Sequence, residues 1–508
     1  MIIRGALTSF LGVALAGCAV GPNYRTPHTA VPDSFIATAP AAAGAAAAAT
    51  AVDPAQWWHA LNDPELDSLI ERAVRANPDI EIALTRLQEA RTAQAGLASS
   101  LLPEAGAGAG AAHGTGSDLT RGRAPQALVA ADNTAGLGSI QQVVGFDAGW
   151  EIDVFGKYRR EIEQAKANTR AAVWARNAVL ISVVADMARA YIDMRGLQMR
   201  LAVTRQDLAT AEQFRDLVHA RYERGLTNEL DVTLADREYA TLQSEVAPLV
   251  SDINALQYEI AALLGDYPEK LSAELATPGL IPAIPVGVAA GMPLELLKRR
   301  PDIQQAEQEL AAASARIGVA TADLFPRLAI SAGVGAENSQ LGTAGISNHI
   351  WSVGPSLYWP LLDFGALDAA VNIADLQAHA RLITYRRTII DAVRDADTAI
   401  GNFSSQQERL KDLDAAMVAS ERAVTLAAQR YDRGLTDFLN VVDAERQEYE
   451  LENEYSATQQ SAADAFVALY KALGGGWQQY QDVPPIRRPL PAVVAIFRHV
   501  AVSDESQK

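Results

Sequence analysis

The pattern of apolar and polar positions changes period along the chain. Between Phe146 and Val154 the even positions are Phe146, Ala148, Trp150, Ile152 and Val154, and the odd ones are Asp147, Gly149, Glu151 and Asp153. Strict alternation predicts a strand with one apolar and one polar face. Trp351, Val353, Leu357, Trp359 and Leu361 alternate with Ser352, Gly354 and Ser356, and Leu328, Ile330 and Val334 alternate with Arg327, Ser331 and Gly333. The Ala/Gly run Ala105–Ala111 completes two strand pairs. Elsewhere the period is seven. Val173, Leu180, Met187, Met194, Leu201 and Leu208 form one seam, and Leu382, Ile389, Ala396, Phe403, Leu410, Met417 and Val424 form another. A sustained heptad predicts coiled-coil packing. The stretches Lys157–Arg224 and Ala366–Arg433 contain no proline. Each predicts a helix on the order of 100 Å long at 1.5 Å per residue. Helices of that length fit a tube or a rod, not one globule.

These elements are written twice. Asn77-Pro78-Asp79-Ile80 returns 223 residues later as Arg300-Pro301-Asp302-Ile303, and Leu102-Pro103 returns as Phe325-Pro326. Further on the spacing is 209: Trp150, Phe155 and Gly156 match Trp359, Phe364 and Gly365, and Gly265 matches Gly474. Arg221-Tyr222 with Gly225-Leu226-Thr227 matches Arg430-Tyr431 with Gly434-Leu435-Thr436 at the same spacing. Repeated anchors at fixed offsets indicate an internal repeat. Each copy reads helix, strand, loop, strand, long helix, turn, helix. Pro248 is expected to interrupt the last helix of the first copy, Asp231–Leu264.

Closure sets a subunit number. Four strands do not close a barrel, and eight close one whose interior side chains fill. Twelve strands, from three chains, begin to leave a lumen. Asp147, Glu151 and Asp153 are then expected to face water and the Trp face lipid. The fold expected is a four-stranded contribution per chain to a 12-stranded transmembrane β-barrel, joined to a long α-helical coiled-coil barrel in a homotrimer.

The N-terminus adds an address. Arg4 precedes a short, mostly apolar run from Gly5 to Ala16, too short to span a bilayer, which reads as a secretory signal. Leu15-Ala16-Gly17-Cys18 resembles a bacterial lipobox, in which the signal is cut before the cysteine and the cysteine is acylated. Several acyl chains give lasting membrane attachment. Ala19 resembles the residue after the cysteine in lipoproteins sent to the outer membrane; inner-membrane retention usually uses Asp there. After Cys18 no stretch of eighteen consecutive apolar residues free of charge occurs.

Composition narrows the chemistry. A net charge of −18 argues against nucleic acid. One cysteine excludes an intrachain disulfide. The seven histidines are scattered with no His-x-x-x-His pair, and there is no cysteine cluster or Gly-rich phosphate loop. The glycines before Trp477 read as a helix C-cap. No catalytic residue, metal or cofactor is expected.

Several motifs carry a family resemblance: Gly21-Pro22-Asn23-Tyr24, Trp57-Trp58 with Asp63-Pro64, the two Arg-Tyr-x-x-Gly-Leu turns, and Lys471-Ala472-Leu473-Gly474-Gly475-Gly476-Trp477. From Cys18 to Trp477 the chain resembles TolC-like outer-membrane efflux lipoproteins, the OprM/NodT type of tripartite efflux systems. The resemblance implies a passive conduit for drugs, dyes or solvents. It also implies two partners, a periplasmic membrane-fusion adaptor and an inner-membrane pump, commonly of the resistance-nodulation-division class. Adaptor-docking tips are then expected at Gly225, Leu226 and Thr227 and at Gly434, Leu435 and Thr436. A periplasmic gate is expected at Leu439 and Asp443, four apart on one helix face, with Tyr431 helping to hold it shut. One departure is Asn440 in the second tip where the first has Asp231. The alternative function is a non-conducting lipoprotein whose coiled-coil stalk bridges envelope layers.

The expected division is a signal peptide at 1–17, a lipid-anchored segment and Ala-rich linker at 18–56, the first repeat at 57–270, a linker at 271–292, the second repeat at 293–477 and a tail at 478–508. Cys18→Ser should abolish palmitate labelling and weaken membrane attachment. A mutant that labels and fractionates like the wild type removes the lipobox.

Overall fold

The computed structural model describes residues 19–29, 31–36, 52–114, 139–271, 273–285, 295, 298–341 and 344–480. Cys18 and the tail beyond 480 lie outside the described residues. The elements are α1 (Pro64–Ala76), α2 (Pro78–Ser99), β1 (Glu104–Gly114), β2 (Ser139–Ile152), α3 (Lys157–Glu223), α4 (Glu229–Leu263), α5 (Pro301–Ala322), β3 (Arg327–Leu341), β4 (Ala344–Tyr358), α6 (Ala366–Asp432) and α7 (Phe438–Ala472). Helices α2 and α5 both have 22 residues, α3 and α6 both 67, and α4 and α7 both 35.

The chain forms two compact units, each drawing on both halves of the sequence. The described parts of Met1–Ala30, Leu87–Trp174 and Asp302–Ile389 make the first, and those of Val31–Arg86, Ala175–Pro301 and Ile390–Lys508 the second.

In the first unit the four strands form one antiparallel sheet in the order β1-β2-β3-β4, so the two pairs read from sequence are joined by β2 against β3. Register brings the alternation of each strand into rows. Ala107, Phe146, Val334 and Trp351 stand side by side, and Asp147 lies between Gly106 and Gly333, with Ser352 next in the row. Phe146, Val334, Trp351, Val353 and Leu357 are exposed, so this chain leaves its apolar sheet face uncovered. The indoles of Trp150 and Trp359 donate to the carbonyls of Leu101 and Leu324, at 3.0 and 3.1 Å, each closing the helix-to-strand corner of its own half. Phe155 stacks on Phe325 at 4.7 Å.

Strand ends differ from those expected. β2 starts at Ser139 and stops at Ile152, leaving Val154 outside. β4 runs Ala344–Tyr358, so Trp359 and Leu361 lie beyond it. Pro360 has no N–H to give a ladder. Asp153, expected on the polar strand face, lies past the end of β2. Its carboxylate accepts from the backbone N–H groups of Tyr158 and Arg159 and pairs with the Arg159 guanidinium at 3.2 Å. A carboxylate at a helix start satisfies otherwise orphaned N–H groups.

The second unit packs around an aromatic cluster. Trp57, Trp58, Leu61, Leu66, Leu69, Ile70, Phe466 and Tyr470 are fully buried. Trp57 stacks on Tyr470 at 5.8 Å and meets Trp58 and Phe466 edge-on. Asp63 caps α1 through the N–H groups of Glu65 and Leu66 and accepts from the Tyr191 hydroxyl at 2.8 Å. Trp57-Trp58 and Asp63-Pro64 are thus a core and the cap beside it.

The heptad seams are buried at Leu180, Met187, Met194, Leu201, Ile389, Ala396 and Phe403 and half-buried at Val173, Leu208, Leu382, Leu410, Met417 and Val424. One window of α3 is long and apolar enough to cross a membrane, but 56% of it is buried inside the protein, where a seam uses its apolarity. Each long helix ends one residue earlier than expected. Helix α4 starts at Glu229, two residues early, and continues through Pro248. A mid-helix proline costs about 3 kcal/mol. Leu242, Leu249 and Ile253 are buried around it, and each contributes roughly 1.5–3 kcal/mol, so packing prevails.

The paired motifs do the same work in both halves. Asn77 Nδ2 donates to the Leu263 carbonyl at the end of α4, and Arg300 donates to the Ala472 carbonyl at the end of α7. A Cβ on Gly265 would sit 2.7 Å from the Ala76 carbonyl, and one on Gly474 would sit 3.0 Å from the Arg299 backbone.

Trp57→Ala should cost about 3–5 kcal/mol of stability in the second unit. The check is circular-dichroism melting of the purified protein. An unshifted melt denies the aromatic cluster its stabilising role.

Candidate functional site: the two helical turns

Both long helices end in the same turn. Leu226 N–H bonds the Arg221 carbonyl and Gly225 N–H bonds that of Tyr222, each at 2.9 Å; Leu435 with Arg430 and Gly434 with Tyr431 repeat both bonds at 2.9 Å. This pair of bonds is a Schellman motif, which requires a left-handed residue just past the helix. Gly225 and Gly434 supply it with φ of +72° and +68°. The residue after that glycine usually packs on the third residue from the helix end. Here that third residue is arginine, Arg221 or Arg430. The leucines are left outside: Leu226 is 69% exposed and Leu435 64%.

The second helix of each turn starts differently. Asn228 caps α4 through the Asp231 N–H at 3.0 Å, and the Thr227 hydroxyl donates to the Asp231 carboxylate. In the second turn Asp437 makes no side-chain cap, and Asn440 Nδ2 donates to the Thr436 hydroxyl at 2.9 Å. The Asp-to-Asn departure reverses the donor, because a carboxylate only accepts.

Tyr431 and its counterpart Tyr222 part company. Tyr222 is exposed, whereas Tyr431 is buried with Val218, Ala235, Val441 and Val442. The Arg221 guanidinium sits 4.5 Å from the Tyr431 ring centroid, close enough for a cation–π attraction. Arg221 therefore ties the first turn to the second, a contact that sequence spacing did not disclose. Val441 and Val442 belong to α7, so the cluster fixes the segment that carries Leu439 and Asp443.

Leu439 and Asp443 lie on an exposed side of α7; Leu439 is 56% exposed. Asp443 pairs with Arg446 at 3.3 Å and accepts from Gln447 at 3.3 Å. Among the described residues no group of three or more His, Cys, Asp or Glu side chains is arranged to hold a metal ion.

In the first unit, the segment that follows Cys18 is held tightly. The buried Arg160 guanidinium donates to the carbonyls of Val20 and Gly21 and to Asn23 Oδ1, at 3.0, 3.1 and 2.9 Å. Glu307 accepts from Tyr24 at 3.3 Å and from Thr26 at 2.9 Å. Gly21 approaches Gly318 so closely that a Cβ on it would fall 2.4 Å from the Gly318 Cα. The Gly-Pro-Asn-Tyr motif is a docked strap.

The model of the outer membrane efflux protein family matches residues 69–266 and 292–475. Nodulation protein T of Rhizobium leguminosarum bv. viciae is 29% identical over 469 residues, 92% of each chain. The toluene efflux pump outer membrane protein TtgF of Pseudomonas putida is 30% identical over 490 residues, 94% of this chain and 98% of that one. Among solved structures, the outer-membrane channel OprN is 34% identical with a TM-score of 0.80, covering 91% of this chain and all of that one. The matched segments take in both turns and both long helices, and the chain belongs to the outer membrane efflux protein family.

Proposed function

We propose that three copies of this chain form the outer-membrane channel of a tripartite export system, a passive conduit from periplasm to exterior. The observation that carries this reading is the sheet. Its apolar face, with Phe146, Val334 and Trp351 in one row, is exposed. β1 and β4 each have a neighbour on one side only. Joining β4 of one copy to β1 of the next pairs every edge, and three copies give twelve strands around a lumen. Leu376, Ile383 and Ile390, seven apart and exposed on α6, supply a second seam for a neighbouring copy. The two halves act as an internal repeat, so a threefold ring has near-sixfold spacing. Residues 57–270 and 293–477 are its two repeats.

The lipid on Cys18 anchors the chain in the outer membrane, and the Arg160 strap sets where the anchor leaves the protein. The conduit performs no chemistry of its own; an inner-membrane pump, reached through a periplasmic adaptor, drives transport. The relative named for toluene efflux supports an apolar small molecule as one class of cargo.

The turns Gly225-Leu226-Thr227 and Gly434-Leu435-Thr436 form the far tips of the helical tube, and their bare leucines are the adaptor contacts. An exposed leucine surrounded by charge is covered at a gain of about 1.5–3 kcal/mol. Leu439 and Asp443 make rings of three at the periplasmic end, held by Tyr431 and Arg221. An apolar ring restricts wetting and a carboxylate ring favours cations.

Leu226→Asp combined with Leu435→Asp should abolish efflux, read as drug susceptibility, while trimers still assemble. Normal efflux from that double mutant removes the docking role. Leu439→Ala with Asp443→Ala should give larger, less cation-selective currents in planar bilayers. Unchanged current and selectivity place the gate elsewhere. Failure of every such variant to pass current favours the non-conducting stalk.

A further inference from the structure

In the second unit, α3 and α7 lie antiparallel with one register. Arg200 donates to Asn453 and the hydroxyls of Thr204 and Tyr449 meet, both at 3.4 Å, and Lys471 pairs with Asp186 at 3.2 Å. On this seam Gln460 of α7 donates to Asp193 of α3, and Asp464, one turn further along α7, brings a second carboxyl group up to Asp193. Two ionised carboxylates at such a place repel, and a proton held between them turns the repulsion into a hydrogen bond. Asp464 Oδ1 is enclosed with no hydrogen-bond partner. Arg189 faces the pair as a cation. Burial first, and the Asp193 charge second, push Asp464 up to about 7.

The same seam carries more carboxyls closer to the start of α7. Asp207 of α3 and Glu445, Glu448 and Glu452 of α7 influence one another, with Glu238 of α4 and Glu421 of α6 facing them. Asp207 Oδ2 and Glu445 Oε1 are enclosed without partners. Burial, then neighbouring carboxylates, push Asp207 up to about 6 and Glu445 and Glu452 up to about 7. Two arginines on these helices are engaged elsewhere: Arg446 with Asp443 and Glu450, and Arg409 with Glu454. Glu245 accepts from Tyr449.

We propose that the α3–α7 seam is a proton-operated fastener: protons on the Asp193–Asp464 pair and on the carboxyls around Glu445 hold α7 against α3, and their loss frees the start of α7, where Leu439 and Asp443 lie. The sign follows from linkage. A carboxyl whose folded value is raised binds its proton more tightly when folded. It stabilises the seam fully below about pH 4 and loses that contribution as pH rises through about 7. Above that, enclosed carboxylates repel across the seam. The fastener stands apart from the gate; only its effect on current rests on the gate reading.

The test is amide hydrogen exchange on the purified full-length protein in nanodiscs from pH 5.5 to 8.5, corrected for intrinsic rate. Protection of α7 peptides containing Asp464 and Glu445 should fall at least about tenfold across that range. In Asp464→Asn an amide donates to Asp193 in place of the shared proton, so protection there should be high and flat with pH. Asp193→Asn is the mirror variant, with the same expectation, should the first not fold. Asp207→Asn with Glu445→Gln should flatten the profile at the start of α7. A flat wild-type profile, or an Asn variant that keeps the full slope, overturns the fastener. Wild-type bilayer current should rise over the same pH range. A pH-dependent exchange profile with constant current keeps the fastener and sinks the gate.

Discussion

A backbone N–H or C=O buried away from water must find a partner, and this constraint organises the molecule. A four-stranded sheet leaves two edges, and among the described strands β1 and β4 carry them. In water such an edge invites association, and in lipid an unpaired edge costs several kcal/mol per group. The uncovered apolar face adds to the cost of leaving the sheet in water. The proposed trimer is the arrangement that closes the edges, gives the apolar face to lipid and turns the row of Asp147, Gly333 and Ser352 inward.

The same demand recurs at the helix ends. The last carbonyls of α4 and α7 are orphans by geometry. Asn77 meets the Leu263 carbonyl and Arg300 that of Ala472, although one side chain is an amide and the other a guanidinium. The two halves use different side chains to make the corresponding bond. At the tips the orphans are satisfied by Schellman turns, and because arginine occupies the position that usually covers the next residue, the turn ends in a bare leucine. The proposed docking surface and the helix termination are thus one piece of local chemistry.

Burial of charge is handled unevenly. Arg160 and Arg195 are buried but well bonded, Arg160 by the strap and Arg195 by Glu65, Gln198 and the Thr277 carbonyl. The α3–α7 seam instead collects carboxyls with few cations. Replacement by apolar side chains of similar volume is often neutral or stabilising for such buried groups. Their presence on the helix that follows the second turn is what the proposed proton control of that helix rests on.

The sequence by itself determined the local periods and the punctuation. Alternation around Phe146 and Val334, heptads through Leu180 and Ile389, and the glycines at 225 and 434 depend on neighbours a few residues away, and physics at that range is legible in one dimension. Tertiary structure decided what depends on distant partners. Whether Pro248 ended a helix was settled by the packing of Leu242, Leu249 and Ile253. The role of Asp153 was settled by the helix start that follows the strand. Tyr222 and Tyr431 occupy equivalent places in the two copies, yet only Tyr431 is buried, beneath the Arg221 guanidinium. The Asp193–Asp464 pairing was invisible for the same reason: its two aspartates lie 271 residues apart in the chain, and they meet only once α3 and α7 share a register.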